Sequence, residues 1–360
     1  MKKIKVIQLI DSLAIGGAEV LAVNSCNLFN KFDKIESFLC VTRKEGPLLD
    51  KVDTNKYIFL NRSSRLDIKA VWKLVKFIKK HDIQIIHAHS TSFFVAFCVK
   101  IILFRVKIVW HDHFGNSEYL EKRNVNPLNF ISLFFSAIIV VNSKLLNWSI
   151  KNLHTRRVHH VNNFAYLNNS KVITKLMGVD NKRIVILAAL RPQKDHLNIL
   201  NAFKDIVDKK KDWTLHIVGS GIGDAYEEMM YEFVNINRLN KSVYFYGGCN
   251  DIQPILAQAT IAVLSSNSEG LPLALLEYGL AKLPVVITNV GECEKVVKNN
   301  YNGIIVPAMD SKILRKGLLS LIESKKKRIL YGDLLYNEIS NNYSKENYLN
   351  NLYSIYLTSI

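Results

Sequence analysis

The chain has 360 residues, enough for two domains of ordinary size, and its 49% hydrophobic content excludes a disordered chain. The five scattered cysteines include no C-x-x-C pair, which excludes a disulfide framework and a cysteine-based zinc site. The net charge is +17, and residues 1–170 carry most of it, with 25 Lys/Arg against 12 Asp/Glu. A basic first half indicates an acidic partner: nucleic acid, an anionic membrane or a polyanionic substrate.

The first predicted element is a strand at residues 3–10, because this run is apolar, β-branched and short. Gln8 interrupts it, and its apolar part is too short for the hydrophobic segment of a signal peptide. A loop with Gly16 and Gly17 follows, and an apolar-periodic helix is predicted at 20–29. Strand, glycine loop and helix indicate a Rossmann-type opening, although the G-x-G-x-x-G fingerprint is absent. A flexible β–α turn is the plain alternative.

Strands and helices alternate through the rest of the first half. Strands are predicted at 36–42, 57–60, 83–89, 106–110, 138–141 and 158–161. An amphipathic helix is predicted at 68–80, with Trp72, Val75 and Ile78 on its apolar side. Its other face is basic, and a solvated face is the default interpretation of such a run. The basic residues of that face are Lys73, Lys76, Lys79 and Lys80.

Two strands of the first half end in histidine pairs, His87 with His89 and His111 with His113, and Asp112 lies within the second pair. Ligands of parallel α/β sheets bind at the carboxyl ends of the strands, so both pairs are candidate site residues. Three interpretations stay open: histidines without a role, a metal site, or histidines that face a ligand. We favour the third, and no metal is predicted.

Two apolar runs, at 93–104 and 130–141, are twelve residues long, short of the roughly 20 that span a bilayer. No transmembrane helix is therefore predicted. Asn142 and Ser143 are predicted as an N-cap pair for a helix that begins at Lys144. The polar, asparagine-rich stretch at 162–175 lacks periodicity and is predicted to link two domains.

The second half repeats the alternation of strands and helices. Strands are predicted at 183–190, 213–218, 243–246 and 261–264, and the chain beyond residue 306 is predicted to be helical. Three of these strands lead into loops with candidate site residues. Arg191 and Lys194 follow the first strand, Gly219 follows the second and Gly247 follows the third.

The fourth strand leads into the most informative stretch, residues 265–281. Pro272 is predicted at the first position of a helix, where its missing N–H costs nothing. The backbone N–H groups of Gly270, Leu271 and Leu273 then point out of the loop, which is typical of a phosphate site. Glu269 lies just before this loop.

Glu277 carries the one charge between Pro272 and Ala281. Such an apolar helix is expected to be buried, and an unpaired buried charge is costly. Two explanations stay open: an ion pair with an Arg or Lys in the core, or hydrogen bonds from the hydroxyls of a ligand.

Glu269 and Glu277, with seven residues between them, resemble the E-x7-E signature of the family 4 glycosyltransferases. The surrounding block, SSNSEGLPLALLEYGLAKLPVVITNVGECEKVV, is similar to that family's most recognisable segment. The resemblance implies an α/β protein of the GT-B fold, with two Rossmann-like domains facing a central cleft. It places the acceptor domain at 1–165, the nucleotide-sugar domain at 176–342, and a last helix at 343–360 that returns to the first domain.

The resemblance also implies roles for the second-half residues. Glu269 would contact the donor sugar near its anomeric carbon, the loop at 270–273 would hold the diphosphate, and Glu277 would bind the ribose. Lys194 matches the family lysine that contacts the diphosphate. The family arginine position is occupied by Ala189, and Arg191 is the candidate to replace it. Gly219 and Gly247 are assigned to the donor site, the latter beside the nucleobase.

In the first half, the resemblance directs Gly16 and Gly17 toward the donor diphosphate, because glycine permits close backbone approach. His111 would lie near the donor sugar and His89 near the acceptor. The expected catalytic residues are therefore Glu269, His111 and Lys194.

The predicted function is a retaining transfer of sugar from a nucleotide sugar, most often UDP-linked in this family, to a glycan or glycolipid. The expected setting is bacterial surface polysaccharide synthesis (capsule, O-antigen or exopolysaccharide), in the cytoplasm on the inner face of the plasma membrane. No cofactor or metal is expected. A nucleotide-sugar 2-epimerase of related fold is one alternative. A nucleic-acid-binding protein is another, although no RRM, KH or zinc-finger pattern is present.

Overall fold

The computed structural model describes residues 3–114, 117–167 and 171–360. It divides into two compact units, one formed by Met1–Asn163 with Lys345–Ile360, the other by Phe164–Ser344. The linker predicted at 162–175 includes residues 168–170, which lie outside the described residues. Across the described ranges, no helix is both long and apolar enough to cross a membrane.

The first unit is built on a parallel sheet of seven strands in the order β3-β2-β1-β4-β5-β6-β7. These are β1 (Ile4–Ser12), β2 (Ile35–Lys44), β3 (Tyr57–Phe59), β4 (Ile85–His89), β5 (Lys107–Asp112), β6 (Ala137–Val140) and β7 (Val158–His160). Every residue of β4 and β6 is buried. Parallel strands covered on both faces need no polar residues on a solvent side, which explains the apolar run of β6, whereas β4 buries His87 and His89.

The helices of this unit are α1 (Gly17–Phe29), α2 (Ile68–His81), α3 (Phe93–Ile102), α4 (Leu128–Ile131) and α5 (Ser143–Asn152). Two of them have side-chain caps that fix where they begin. Asp67 accepts a hydrogen bond from the Ala70 amide at 3.0 Å, and Asn142 accepts one from the Leu145 amide at 2.8 Å. The prediction that Asn142 caps α5 is therefore confirmed.

The predicted apolar side of α2 is wrong at one position. Trp72 is 48% exposed, whereas Val75 and Ile78 are buried as predicted. The buried stripe runs through Val71 and Leu74, and Trp72 lies about 100° around the helix from its neighbour Val71. Trp72 therefore lies on the same exposed side as the lysines.

The second unit holds a parallel sheet of six strands in the order β10-β9-β8-β11-β12-β13. These are β8 (Arg183–Leu187), β9 (Thr214–Val218), β10 (Val243–Phe245), β11 (Ile261–Leu264), β12 (Val285–Thr288) and β13 (Ile304–Val306). The helices are α6 (His196–Val207), α7 (Ala225–Ile236), α8 (Ile252–Gln258), α9 (Leu273–Leu280), α10 (Cys293–Val296), α11 (Ser311–Ile322) and α12 (Lys325–Asn342). Because β8 pairs with β11, the loops after these two strands are neighbours.

The last helix, α13 (Lys345–Ser359), belongs to the first unit. Its buried side carries two tyrosines. The Tyr356 ring lies 5.7 Å from the ring of Phe29, and the Tyr348 hydroxyl lies 3.0 Å from the Ser25 hydroxyl. Both partners lie on α1, so the helix closes over one face of the sheet.

Candidate active site

In the second unit, the ammonium of Lys194 lies 2.6 Å from Oε1 of Glu269. Lys194 ends a short 3-10 turn, Pro192–Lys194, that follows β8. Glu269 lies in the loop between β11 and α9. The Glu269 side chain is 7% exposed and that of Lys194 is 22% exposed. The pair is thus largely withdrawn from water, with the cation on the more open side.

Three hydroxyls hold the loops that carry this pair. Ser266 Oγ donates to Glu269 Oε1 at 2.6 Å, and Ser265 Oγ donates to the Lys194 carbonyl at 3.0 Å. Thr288 Oγ1 donates to the Ser266 carbonyl at 2.6 Å. The two charged side chains are therefore positioned before any ligand binds, which is what an electrostatic site requires.

Gly291 packs against the backbone just beyond Glu269. Its φ is +57°, and a Cβ at this position would overlap the carbonyl oxygens of Glu269 and Gly270. The Glu292 amide donates to the Gly270 carbonyl at 2.8 Å. Glycine is required here both for the left-handed conformation and for the close approach.

Helix α9 begins one residue later than predicted. Pro272 has extended backbone angles (φ −71°, ψ 126°) and is the N-cap, so the first helical residue is Leu273. The predicted N1 position of Pro272 is therefore wrong, because a ψ near 126° cannot continue a helix. The amides of Leu273 and Ala274 now lie in the first turn, where backbone N–H groups lack intrahelical acceptors and favour an anion.

Glu277 is half-buried in the middle of α9, between the buried Leu276 and Tyr278. The Tyr278 hydroxyl accepts from the Leu187 amide at 2.6 Å, which ties α9 to the end of β8. Burial raises the pKa of Tyr278, and the Glu277 and Glu269 carboxylates raise it further. The Glu277 side chain keeps partial access to solvent.

The remaining second-unit candidates lie on neighbouring loops. The Gly219 amide donates to the Gly247 carbonyl at 2.7 Å, so the structure brings these two glycines together. A Cβ at Gly219 would overlap the Ala188 carbonyl, at the end of β8. Arg191 is exposed, and its carbonyl accepts from the Lys194 amide at 2.9 Å.

In the first unit, Gly16 is the N-cap of α1 and Gly17 is its first residue. The helix therefore begins three residues before the predicted position, and its first turn is formed by the glycine loop. The Gly16 carbonyl accepts from the Val20 amide at 2.9 Å. The Glu19 carboxylate lies against this helix end, because a Cβ at Gly16 would overlap Glu19 Oε2, and Ser12 Oγ donates to Glu19 Oε1 at 3.3 Å.

Four histidines of the first unit, His87, His89, His111 and His113, meet at the ends of β4 and β5, where His89 pairs in register with His111. His87 Nε2 lies 3.2 Å from His111 Nδ1, and His89 Nδ1 lies 3.0 Å from His113 Nε2. Burial lowers the pKa of His87 and of His113 to about 3, and the pKa values of His89 and His111 well below 6.5. All four rings are therefore neutral at pH 7.

Neutral imidazoles are good metal ligands, and nitrogens of His87, His89 and His111 lie within 4.8 Å of one another. Five of their six ring nitrogens already have hydrogen-bond partners within the first unit. A metal ion would have to break these bonds. The arrangement therefore fits a hydrogen-bonded chain better than a coordination shell.

The two histidines predicted to face ligands differ in their hydrogen bonding. His89 Nε2 lies 2.8 Å from Gln8 Oε1 and its Nδ1 faces His113, so both nitrogens are occupied. The predicted acceptor contact of His89 therefore does not fit this structure. His111 differs, because its Nε2 is buried without a hydrogen-bond partner among the described residues.

Several residues of these sites went unrecognised in the sequence. Ser266 and Thr288 stand at or just after the ends of β11 and β12, where small hydroxyl residues can brace neighbouring loops. Gln8 and Tyr356 contact the histidines. Gln8 carried a local signal, since a polar residue in the middle of a buried strand needs a partner.

Comparison with known proteins places this geometry in context. The family model "Glycosyltransferase Family 4" matches residues 15–168, and "Glycosyl transferases group 1" matches residues 174–332. An Escherichia coli protein named UDP-Gal:alpha-D-GlcNAc-diphosphoundecaprenol alpha-1,3-galactosyltransferase is 26% identical over 310 residues, 79% of this chain and 80% of that one.

One more relative and one solved structure of the same fold extend the comparison over nearly the whole chain. The capsular polysaccharide biosynthesis glycosyltransferase CapH of Staphylococcus aureus is 22% identical, covering 92% of this chain and 94% of CapH. Among solved structures, Anabaena HepE in complex with UDP and glucose superposes with a TM-score of 0.79 at 16% identity. The match covers 99% of this chain and 100% of HepE.

Proposed function

Because the chain belongs to the family 4 glycosyltransferases and has their two parallel-sheet α/β domains, we propose that it transfers sugar from a UDP-sugar to a lipid-linked glycan, with retention of anomeric configuration. Its relatives include glycosyltransferases of O-antigen and capsule synthesis. The observation that carries the proposal is the Lys194–Glu269 pair beside the first turn of α9.

The donor diphosphate binds at this pair. As the bond between sugar and diphosphate breaks, negative charge grows on the leaving phosphate, and donors already aimed at it lower the barrier. The Lys194 ammonium has three N–H donors, so one can remain on Glu269 while others reach a phosphate oxygen. The loop amide of Gly270 and the helix amides of Leu273 and Ala274 add to this anion site.

The other donor contacts of the proposal are those that the family resemblance implies. Glu277 accepts from the ribose hydroxyls, and the Gly219 and Gly247 loops receive the base. The resemblance assigns Glu269 and His111 to the donor sugar, and Gly16 and Gly17 to the diphosphate. The UDP preference is supported by the names of the E. coli relative and of the HepE complex, which both include UDP. No metal enters this scheme, because amides and an ammonium can neutralise the diphosphate.

We also propose that the first unit docks on an anionic membrane, where a lipid-linked acceptor would lie. Its charge surplus accompanies a group of exposed apolar side chains that we term the apolar patch: Ile101, Phe104, Phe130 and Leu133, between 49% and 77% exposed. The ring of Phe97, one turn before Ile101, lies 6.4 Å from the Phe130 ring, which joins α3 to α4. A contiguous exposed apolar surface of this kind typically marks an interaction site.

The test of the proposed reaction begins with titration calorimetry of UDP-, GDP- and ADP-sugars on the purified chain. The preferred donor is then incubated with a lipid-linked glycan extract, and the product's anomeric configuration is read by NMR. We expect UDP-sugar binding, transfer with retention, and full activity in EDTA. Inversion would contradict the retaining step, and lost activity restored by a divalent ion would contradict the metal-free scheme. If the donor were epimerised and no sugar were transferred, the result would favour a nucleotide-sugar 2-epimerase over the proposed function.

A further inference from the structure

Within the described ranges, His111 Nε2 is the buried ring nitrogen of His87, His89 and His111 that has no hydrogen-bond partner, and it is not evident whether this nitrogen carries a proton. We propose that Tyr356 and His87 act as positioning residues that hold His111 in the tautomer protonated at Nε2, so that it presents a hydrogen-bond donor to the donor sugar. The ligand atom is then an acceptor, a hydroxyl or ring oxygen of the sugar. This last step rests on the proposed function, whereas the tautomer itself does not.

The hydrogen-bonded chain begins at Gln8, whose amide lies between His89 and Tyr356. Gln8 Oε1 faces His89 Nε2 at 2.8 Å, which leaves the Gln8 amide nitrogen to donate to the Tyr356 hydroxyl at 3.5 Å. The Tyr356 oxygen therefore receives a hydrogen bond, and its own proton is available to another acceptor. Burial raises the pKa of Tyr356 well above 10, so that proton stays in place at pH 7.

The acceptor of the Tyr356 proton is His87, whose Nδ1 lies 2.5 Å from the hydroxyl oxygen. A neutral imidazole has one N–H, and Nδ1 is used as the acceptor, so the proton of His87 is on Nε2. Nε2 faces His111 Nδ1 at 3.2 Å and donates to it. Because burial lowers the pKa of His87 to about 3, the ring carries a single proton at pH 7, as this assignment requires.

The same rule fixes the proton of His111. Its Nδ1 accepts from His87, so the single proton of neutral His111 lies on Nε2. Buried N–H donors in proteins are almost always paired, and this one has no partner among the described residues. A ligand oxygen would satisfy it. The hydrogen bonds that run from Gln8 on β1 through Tyr356 on the last helix and His87 therefore determine which nitrogen of His111, at the end of β5, carries the proton.

The purely structural alternative is that Tyr356 only packs and bonds in the core. Tyr348 is the matched control, since it lies on the same helix, is equally buried and bonds to Ser25 at 3.0 Å. Tyr356→Phe and Tyr348→Phe each remove one buried hydroxyl from α13. Only the first removes the proton that fixes His87.

The first experiment is long-range proton–nitrogen NMR of the whole chain labelled with 15N-histidine at pH 7.5, with the His111 signals identified by their loss in His111→Gln. We expect His111 protonated at Nε2 in the wild type and in Tyr348→Phe, and a mixture of tautomers in Tyr356→Phe. An Nδ1-protonated His111 in the wild type, or unchanged signals in Tyr356→Phe, would overturn the inference.

The second experiment compares the affinities of UDP-sugar and of UDP by calorimetry. Tyr356→Phe should weaken UDP-sugar binding about tenfold and leave UDP binding unchanged, because the contact proposed for His111 is with the sugar and not with the nucleotide. His111→Gln keeps an amide donor near the Nε2 position, and adding Tyr356→Phe to it should bring no further loss. If Tyr356→Phe weakened UDP binding as much as UDP-sugar binding, Tyr356 would have a structural role. The same would hold if Tyr356→Phe lowered UDP-sugar affinity as much in the His111→Gln background as in the wild type. No UDP-sugar binding by a wild type with the expected tautomer would overturn the sugar contact and the proposed function together, leaving the tautomer intact.

Discussion

The Lys194 ammonium lies 2.6 Å from Glu269 Oε1, although 75 positions separate the two residues in the chain. The contact follows from the sheet, because β8 and β11 pair side by side and both loops leave at their carboxyl ends. A parallel sheet thus brings a cation and a carboxylate together from two loops, each held by its own hydroxyl contact. Their fixed geometry is the basis for the proposed diphosphate site.

Substitution of Gly291 tests how tightly the Glu269 loop is held. Gly291→Ala should lower the free energy of unfolding by at least about 2 kcal/mol and abolish donor binding, because strain at positive φ adds to displacement of the Glu269–Gly270 backbone. Gly223→Ala is the control, since Gly223 also has positive φ (+72°) but no atom lies within 4 Å of the position that its Cβ would take. Thermal melts measure the stability of both variants, and calorimetry measures their donor affinity. Equal losses of stability and affinity in the two variants would contradict the packing argument.

Glu277→Ala should weaken UDP binding about 10- to 100-fold with the fold retained, the range expected when a charged hydrogen-bond acceptor is removed. Calorimetric titration with UDP measures the change. Glu323→Ala provides the control, because Glu323 is 59% exposed and pairs with Lys210 at 3.7 Å on the surface. Unchanged UDP affinity in folded Glu277→Ala would remove Glu277 from the donor site.

The buried histidines predict loss of stability at mildly acidic pH. The folded-state pKa values of His87 and His113, about 3, lie below the value of about 6.5 expected in the unfolded chain. As the pH falls through 6.5, only the unfolded chain takes up protons, so the free energy of unfolding decreases. At pH 5.5 each histidine accounts for about 1.4 kcal/mol. Urea unfolding at pH 7.5 and 5.5 measures this, and equal stabilities would show that these rings become protonated in the folded state.

Membrane docking predicts salt-sensitive binding of the chain to vesicles with phosphatidylglycerol, and weak binding to neutral vesicles. Basic residues near an anionic surface contribute about 1 kcal/mol each, and the apolar patch adds its own buried area. The double variant Phe104→Ser with Phe130→Ser should reduce co-sedimentation several-fold. Ile329→Ser, at a 56% exposed position on α12, should leave it unchanged. Equal binding to both vesicle types, or to neither, would contradict docking.

Patterns of neighbouring residues in the sequence predicted the strands and helices better than they predicted the contacts between distant residues of the site. The apolar run of β11 matches the predicted bounds 261–264, because a buried strand is recognisable from its own residues. Trp72 was placed on the wrong face of α2, since apolarity alone does not distinguish a core residue from an exposed one. The partner of His87 could not be predicted, because Tyr356 lies 269 positions away and nothing in either segment specifies the contact.

The most direct test of the proposed diphosphate site is the turnover of a UDP-sugar by Lys194→Ala. We expect a fall of about 100-fold or more, the order seen when one preorganised donor to a developing charge is removed. Lys282→Ala, which breaks an exposed ion pair with Asp333 in the same unit, should retain wild-type turnover. Arg191→Ala should be the milder of the two loop variants. Wild-type turnover in folded Lys194→Ala, or a larger loss in Arg191→Ala, would contradict the assignment of the diphosphate site to Lys194.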